Sequence, residues 1–244
     1  MIEPILMHGS GVWGTKTFSV ISSVQNRACK YFLSVGKHTS NVLSRGDMGW
    51  TSCYTKQRIN VCRLLCRTLR SEDHRLSNKI YKWISRRRKV WAFEVDKIVN
   101  TLNVRETIYN LSFSTKSVMK TVFEKLIQLD NTEWYRELFN DRRNGENGNK
   151  LRIYRLYRHD VKGASYVLQN ISRFERRTMA LFRSGALPLA YETGKYSRPP
   201  VPVDDRLCVY CNSERVENEK HFLMECNLYD DLKYNLFFGN FKIC

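Results

Sequence analysis

Arg206-Leu-Cys208-Val-Tyr-Cys211 is followed, after nine intervening residues, by His221-Phe-Leu-Met-Glu-Cys226. Two residues within the first pair and four within the second match the ligand spacing of a structural zinc site. The paired cysteines supply a tight knuckle, and thiolates hold zinc far more strongly than carboxylates do. The plain alternative is two stray cysteines, a surface histidine and a buried thiol. On one continuous α-helix His221 and Cys226 stand about 140° apart, too far round to share an ion comfortably. The spacing therefore predicts a short helix that carries His221 and ends by Cys226, with Phe222 and Leu223 packed under the metal. Asn227 is placed to cap a last helix through Leu228, Leu232 and Leu236, stopped by Gly239, and Cys244 lies beyond the ligand set.

Working back from the knuckle, Tyr196-Ser-Arg-Pro-Pro-Val-Pro-Val203 excludes helix and reads as an extended lead-in. Before it, Asn170 or Ser172 can cap a helix through Phe174, Thr178, Leu181 and Phe182 that stops at Gly185 and carries Arg173, Arg176, Arg177 and Arg183. The knuckle thus reads as a clamp on the end of a helical body. A ten-residue run of charges and turn formers, Asn140–Asn149, marks the best boundary. Upstream of it, apolar residues recur at helical spacing from Phe18 to Leu33, along Ile59, Cys62, Leu65, Cys66 and Leu69, and over Arg75–Trp83, Trp91–Leu102, Ser117–Leu129 and Thr132–Phe139. Cys62 and Cys66 share one apolar stripe and are read as small buried side chains. Trp83, Trp91 and Trp134 are expected in the core.

The 244 residues, 42% hydrophobic with only five prolines, can bury a sizeable, mainly helical core. The eight cysteines do not pattern as a disulfide framework. The opening residues have neither the basic start nor the apolar run of a secretory leader, and no stretch reaches the ~18 apolar residues of a membrane span. The expectation is a reducing intracellular compartment, nuclear or cytoplasmic, with no membrane partner.

The chain carries a net charge of +17, which favours polyanionic partners, most often nucleic acid. Residues 1–140 hold +12, residues 141–200 hold +8, and residues 201–244 hold −3. Phosphate contacts are therefore expected upstream of the knuckle. On a helix over Lys150–Lys162, Arg152, Arg155, His159 and Lys162 fall within about 80° of one another. Ile153, Leu156, Tyr157 and Val161 are then assigned to the opposite, core-facing side. That basic ridge suits sequence-independent phosphate contacts, with Arg173, Arg176 and Arg177 next in line; an ordinary solvated face remains the alternative. The tetrad Arg86–Lys89 reads either as a nuclear-import signal or as a further phosphate contact. The carboxylate pairs Asp204-Asp205 and Asp230-Asp231 lack the setting of a magnesium-binding polymerase site, no glycine-rich phosphate loop is present, and no histidine sits beside an obvious nucleophile.

Arg177-Thr-Met-Ala-Leu-Phe-Arg-Ser-Gly-Ala-Leu-Pro-Leu189, Glu192-Thr-Gly194, Arg206–Cys211 and Glu217-Asn-Glu-Lys-His-Phe-Leu-Met-Glu-Cys226 together resemble non-LTR retrotransposon reverse transcriptases downstream of their polymerase core. Pro4–Gly14, Val24–Gly36 and Gly46–Trp50 are similar to the segment that follows the palm of those enzymes, although His8 and Gly11 depart from the pattern and the expected proline after Trp50 is missing. The resemblance implies a thumb-like helical body over 1–140, a basic helical segment over 141–200 and a Cys-Cys-His-Cys zinc-binding module over 201–244. Its ligands map onto Cys208, Cys211, His221 and Cys226. It also implies that the fingers, the palm and the catalytic aspartates would precede Met1, so polymerisation does not carry over. The expectation is a non-enzymatic, zinc-stapled region that binds RNA or DNA. The alternatives are a module that docks on a polymerase core, or a decayed element remnant.

Overall fold

A computed structural model describes residues 3–87, 90–139 and 151–231. The protein is mainly α: no strand occurs among the described residues, only an antiparallel bridge between Leu207 and Val216. The helices are α1 (Glu3–Met7), α2 (Ser10–Trp13), α3 (Ser19–Phe32), α4 (Asn41–Met48), α5 (Cys53–Leu69), α6 (Leu76–Arg86), α7 (Val90–Thr101), α8 (Arg105–Tyr109), α9 (Thr115–Phe139), α10 (Arg152–Tyr157), α11 (Ser165–Leu168), α12 (Arg173–Arg183) and α13 (Ala190–Thr193).

The central helix is α5. Ser52 caps it, its hydroxyl accepting from the Thr55 amide at 3.1 Å, and the Ser52 amide donates to Asp130 of α9 at 2.9 Å. Ile59, Cys62, Leu65 and Cys66 then face one cluster with Val95, Ile98 and Val99 of α7 and Val118, Val122 and Leu126 of α9. Cys62 and Cys66 are fully buried, as their shared stripe requires, and burial pushes the Cys62 thiol up to about 12. Those two cysteines serve packing. The expected pair of helices over Ser117–Leu129 and Thr132–Phe139 is one continuous helix, α9, because nothing between Leu129 and Thr132 breaks it and Trp134 and Leu138 continue its buried stripe.

A second cluster joins Leu43 of α4, Trp134 and Leu138 of α9, and Leu151 and Tyr154. A third joins Leu33 to Ala164, Tyr166 and Ala180. Gly46 makes the second possible, since a Cβ there would lie 2.6 Å from the Tyr154 hydroxyl and 2.7 Å from the Trp134 ring. Next to it, the fully buried Asp47 accepts four hydrogen bonds, from Arg183 Nε (2.9 Å) and Nη2 (2.7 Å), Tyr154 (3.1 Å) and Tyr166 (2.8 Å). Burial disfavours the Arg183 charge, but the Asp47 bonds outweigh it and hold that guanidinium above its usual range. Burial, with Asp47 beside them, likewise raises both phenols.

The Asn140–Asn149 boundary lies outside the described residues, as do Lys150, Arg88, Lys89, Leu232, Leu236, Gly239 and Cys244. Trp134 is fully buried and Trp91 part-buried, but Trp83 is half exposed, since α6 buries only Asn78. No described helix is long and apolar enough to cross a membrane.

Replacing Asp47 with Ala leaves Arg183 charged and unpaired, together with two phenols without their acceptor. The expected loss is about 3–5 kcal/mol, read as a lower urea midpoint with an unchanged slope. A change below about 1 kcal/mol would contradict the role given to this carboxylate.

Candidate metal centre

The knuckle is built by backbone pairing. Cys208 donates its amide to Arg215 (2.9 Å) and Glu217 donates its amide to Arg206 (2.9 Å), which closes a narrow loop around Cys211. Glu214 turns that loop at φ 52°. Three residues before His221, the Asn218 side chain caps the next turn by accepting the His221 amide at 2.9 Å.

From His221 to Glu225 the chain forms a single π-helical turn, closed by the Cys226 amide donating to the His221 carbonyl at 2.8 Å. A turn closed from residue i to i+5 brings those two residues nearer to one side, where an α-helix would set them about 140° apart. The expected short helix ending at Cys226 is present, and the widened turn is what brings both ligands to one side. Residues Asn227–Tyr229 form a 3₁₀ turn that passes into helix at Asp230 and Asp231, and the remainder of the expected last helix lies outside the described residues. Phe222 packs against Tyr229, with ring centroids 4.9 Å apart, whereas Leu223 is partly exposed and does not pack beneath the site.

The sulfur atoms of Cys208, Cys211 and Cys226 and a ring nitrogen of His221 all lie within 4.8 Å of one another. A tetrahedral zinc with ~2.3 Å bonds to sulfur sets its ligands just under ~4 Å apart, so this constellation needs only a small contraction. Cys211 Sγ already stands 3.3 Å from His221 Nε2. The Cys211 thiol is pulled down to about 6, first by the Ser213 hydroxyl and amide, while burial pushes Cys226 up. With Nε2 turned to the cysteines, the buried Nδ1 has no hydrogen-bond partner and faces Glu225 Oε2 at 3.8 Å. Hydrogen bonds and charge from Lys220 and Arg215 hold that carboxyl below its usual range. A carboxylate behind the distal nitrogen is how a metal-ligating histidine is oriented and made more basic. Cys208, Cys211, His221 and Cys226 could thus hold a metal ion such as zinc.

Two of the acids of this region, Glu217 and Glu219, serve its docking on the body. Glu219, nearly fully buried, accepts both oxygens' worth of contact from Arg152 Nη2 (2.6 Å to Oε2), while Arg152 Nη1 donates to Glu192 at 2.8 Å. The Arg152 guanidinium also lies 4.0 Å over the Tyr191 ring. Glu217 accepts the Ala190 amide at 2.7 Å through its carboxylate and the Tyr191 amide at 3.1 Å through its carbonyl. Arg206 donates to the Tyr191 and Val201 carbonyls. None of Glu192, Glu217, Glu219 and Arg206 was marked by spacing. The available signal was the alternation Glu217, Glu219, His221, three buried residues at every second position.

The ridge expected from Arg152, Arg155, His159 and Lys162 does not form. Helix α10 ends at Tyr157, so His159 and Lys162 leave its face. Arg152 points inward, and Arg155 donates to the Leu138 carbonyl at 2.6 Å. Lys162 pairs with Asp160 at 2.7 Å, and His159 is exposed. Of the assigned core side, Val161 packs partly buried against the second cluster, but Leu156 is 75% exposed, and Tyr154, outside that assignment, is fully buried. On α12, capped by Ser172 as expected and also by the reply of Glu175 to the Ser172 amide, Arg173 bonds to Ser34 at 2.9 Å and lies over Tyr31, and Arg176 bonds to the Ile171 carbonyl at 3.4 Å. Arg173 and Arg177 are exposed beside Phe174.

No protein-family model, no curated protein and no solved structure matches this chain.

The purified chain is expected to carry a single zinc ion per molecule, and Cys226→Ser is expected to abolish it. Glu225→Gln should retain the ion but weaken its affinity by about 10-fold or more. Atomic-emission zinc content and competition with a chromophoric chelator measure both. A metal-free wild-type chain would remove the ligand assignment.

Proposed function

We propose that this chain is a non-catalytic, zinc-stapled nucleic-acid-binding protein region, akin to the segment that follows the polymerase core of non-LTR retrotransposon reverse transcriptases and acting inside the cell. The observation that carries this reading is the surplus of 17 positive charges. Such a balance holds RNA or DNA through phosphates and is blind to sequence. The inward use of Glu192, Glu217 and Glu219 supports it: Glu192 and Glu219 neutralise Arg152 and Lys195, Glu217 accepts the Ala190 amide, and none of the three covers the exposed face of α12. Arg173 and Arg177, with Phe174 between them at 76% exposure, are the first choice for contact with phosphate and a base face. Arg152 and Arg155 pass from the phosphate list to the structural one, and Arg176, His159 and Lys162 are secondary.

Zinc here does no chemistry on a substrate; it holds the Cys208–Cys226 module closed against α10 and α13. A second reading, docking of the module on a polymerase core, is favoured by the exposure of Val209 (83%) and Tyr210 (62%) at the knuckle tip. A pull-down that survives nuclease treatment and is lost in Val209→Ser/Tyr210→Ser would support docking over nucleic-acid binding at that tip.

Affinity for a single-stranded RNA or DNA oligonucleotide should fall steeply with salt. Arg173→Ala and Arg177→Ala should weaken binding alike for all sequences and each reduce the log–log salt slope by about 1. Fluorescence anisotropy over a salt series provides the measurement. A slope near zero in the wild type would end the phosphate reading.

A further inference from the structure

Helix α6 is strongly two-sided, yet the only side chain it buries is Asn78, whose amide donates to the carbonyls of Thr68 (3.3 Å) and Ser71 (2.9 Å). Its apolar stripe is left uncovered: Leu76 is 71%, Ile80 49% and Trp83 50% exposed. Beside that stripe runs a groove of about 630 Å³, walled by Ile80 and Ile84 from α6, Val90 and Trp91 from α7, Leu64 from α5, and Val12, Trp13 and Phe18 around α2.

The polar tips of the large aromatic side chains in this groove are already used. Trp13 Nε1 donates to the His8 carbonyl (2.9 Å), Trp91 Nε1 to the Gly11 carbonyl (3.2 Å), and the Tyr81 hydroxyl is bonded to that of Tyr109 (2.8 Å). What they offer a ligand is carbon. A nucleotide or a small polar molecule would find little to replace its water, while apolar side chains would.

The charge around the groove is mainly positive, Asp73 beside Lys82 apart. Among the described residues, Lys16 is the only charged one that lines it, and no carboxylate does. Along the flank of α6 lie Lys79, Lys82, Arg86 and Arg87, all exposed. Lys82 is paired with Asp73 at 2.7 Å, whereas Lys16, Lys79, Arg86 and Arg87 enter no ion pair among the described residues. An apolar slot with Lys16 in its lining, continued by an exposed apolar stripe whose far edge carries Lys79 and Arg86, suits an apolar segment that bears carboxylates on its flanks.

We propose that the α2–α5–α6–α7 groove is the docking site for an acidic amphipathic helix of a partner protein. Its apolar residues, at i, i+3, i+4 and i+7, would enter between Phe18, Leu64, Ile80 and Val90, and its flanking carboxylates would meet Lys16, Lys79, Arg86 and Arg87. The charges set the encounter rate and the partner's sign, and the buried apolar anchors set the lifetime of the complex. This surface is separate from α12 and from the cysteine knuckle, so the inference does not rest on the nucleic-acid reading.

The test uses the full chain and a fluorescein-labelled synthetic helix of about 16 residues, with leucines at those anchor spacings and glutamates on both flanks. Two control peptides replace all the leucines by serine or all the glutamates by lysine. Only the leucine–glutamate peptide is expected to bind, and Ile80→Ser/Trp83→Ser should weaken it at least about tenfold. These two side chains are exposed, so circular dichroism should be unchanged. Lys79→Glu/Arg86→Glu/Arg87→Glu should shift preference to the lysine-flanked peptide. Equal binding of the serine control would reduce the surface to a polyanion patch and overturn the proposal. So would displacement of the peptide by an oligothymidylate that binds the Ile80→Ser/Trp83→Ser chain as tightly as the wild type. Sedimentation showing a dimer that the same double substitution dissolves would assign the groove to a second copy, and would overturn it as well.

Discussion

The Asp47 carboxylate sits fully buried at the meeting point of α4, α10, α11 and α12, and the rest of the C-terminal half is arranged around keeping it satisfied. An ionised carboxyl taken out of water loses several kcal/mol of solvation, which only close, well-directed donors offset. Arg183 provides two such donors and the charge, Tyr154 and Tyr166 the other two. Because the donors come from three separate helices, satisfying one carboxylate fixes three helix positions at once. Gly46 beside it allows Tyr154 and Trp134 to come close enough to do so.

From Tyr154 the constraint passes to the cysteine knuckle through a helix of only six residues. Residues 152 and 154 are about 200° apart on α10, on opposite sides of it. With Tyr154 held by Asp47, Arg152 is aimed into the contact with the module, at Glu192 and Glu219. Glu219 is two residues from His221 and belongs to the same buried alternation. Helix α10 is therefore a strut with one side in the body and the other in the module. That position explains why its arginines are occupied: they hold structure together and are poorly placed to grip a phosphate chain.

The sequence patterns that survive contact with the structure are those set by short-range chemistry. The Ser172 cap, the Gly185 stop, the apolar stripe of α5 and the four-ligand cluster each depend on residues close together in sequence, and each is found. The failures come from partners distant in sequence. Arg152 and Glu219 are 67 residues apart, and Asp47 and Arg183 are separated by 136. Helical spacing reads an arginine-rich segment as a solvated face because it cannot see the carboxylates waiting on another element. The same blindness placed Trp83 in the core, since an apolar stripe at the right period says only that a surface wants cover. The π turn at His221–Glu225 was half legible: the five-residue gap signalled that a plain helix would not serve, but not which distortion would.

The knuckle's negative charge takes on a different meaning once its partners are known. A −3 segment at the end of a +17 chain first reads as a region excluded from polyanion contact. Glu217 and Glu219 turn inward instead, to a backbone amide and to Arg152, and Glu225 stands behind His221. These carboxylates tie together the metal ligands, the strut and the body. Binding an ion at Cys208, Cys211, His221 and Cys226 would fix the turn that carries Glu219 and Glu225, and so would tighten the contact with Arg152. The converse also holds by linkage: whatever holds α10 in place pre-orders the ligand set and raises its affinity for metal. Metal retention is in this sense a property of the whole C-terminal half, and it reaches back to the carboxylate of Asp47.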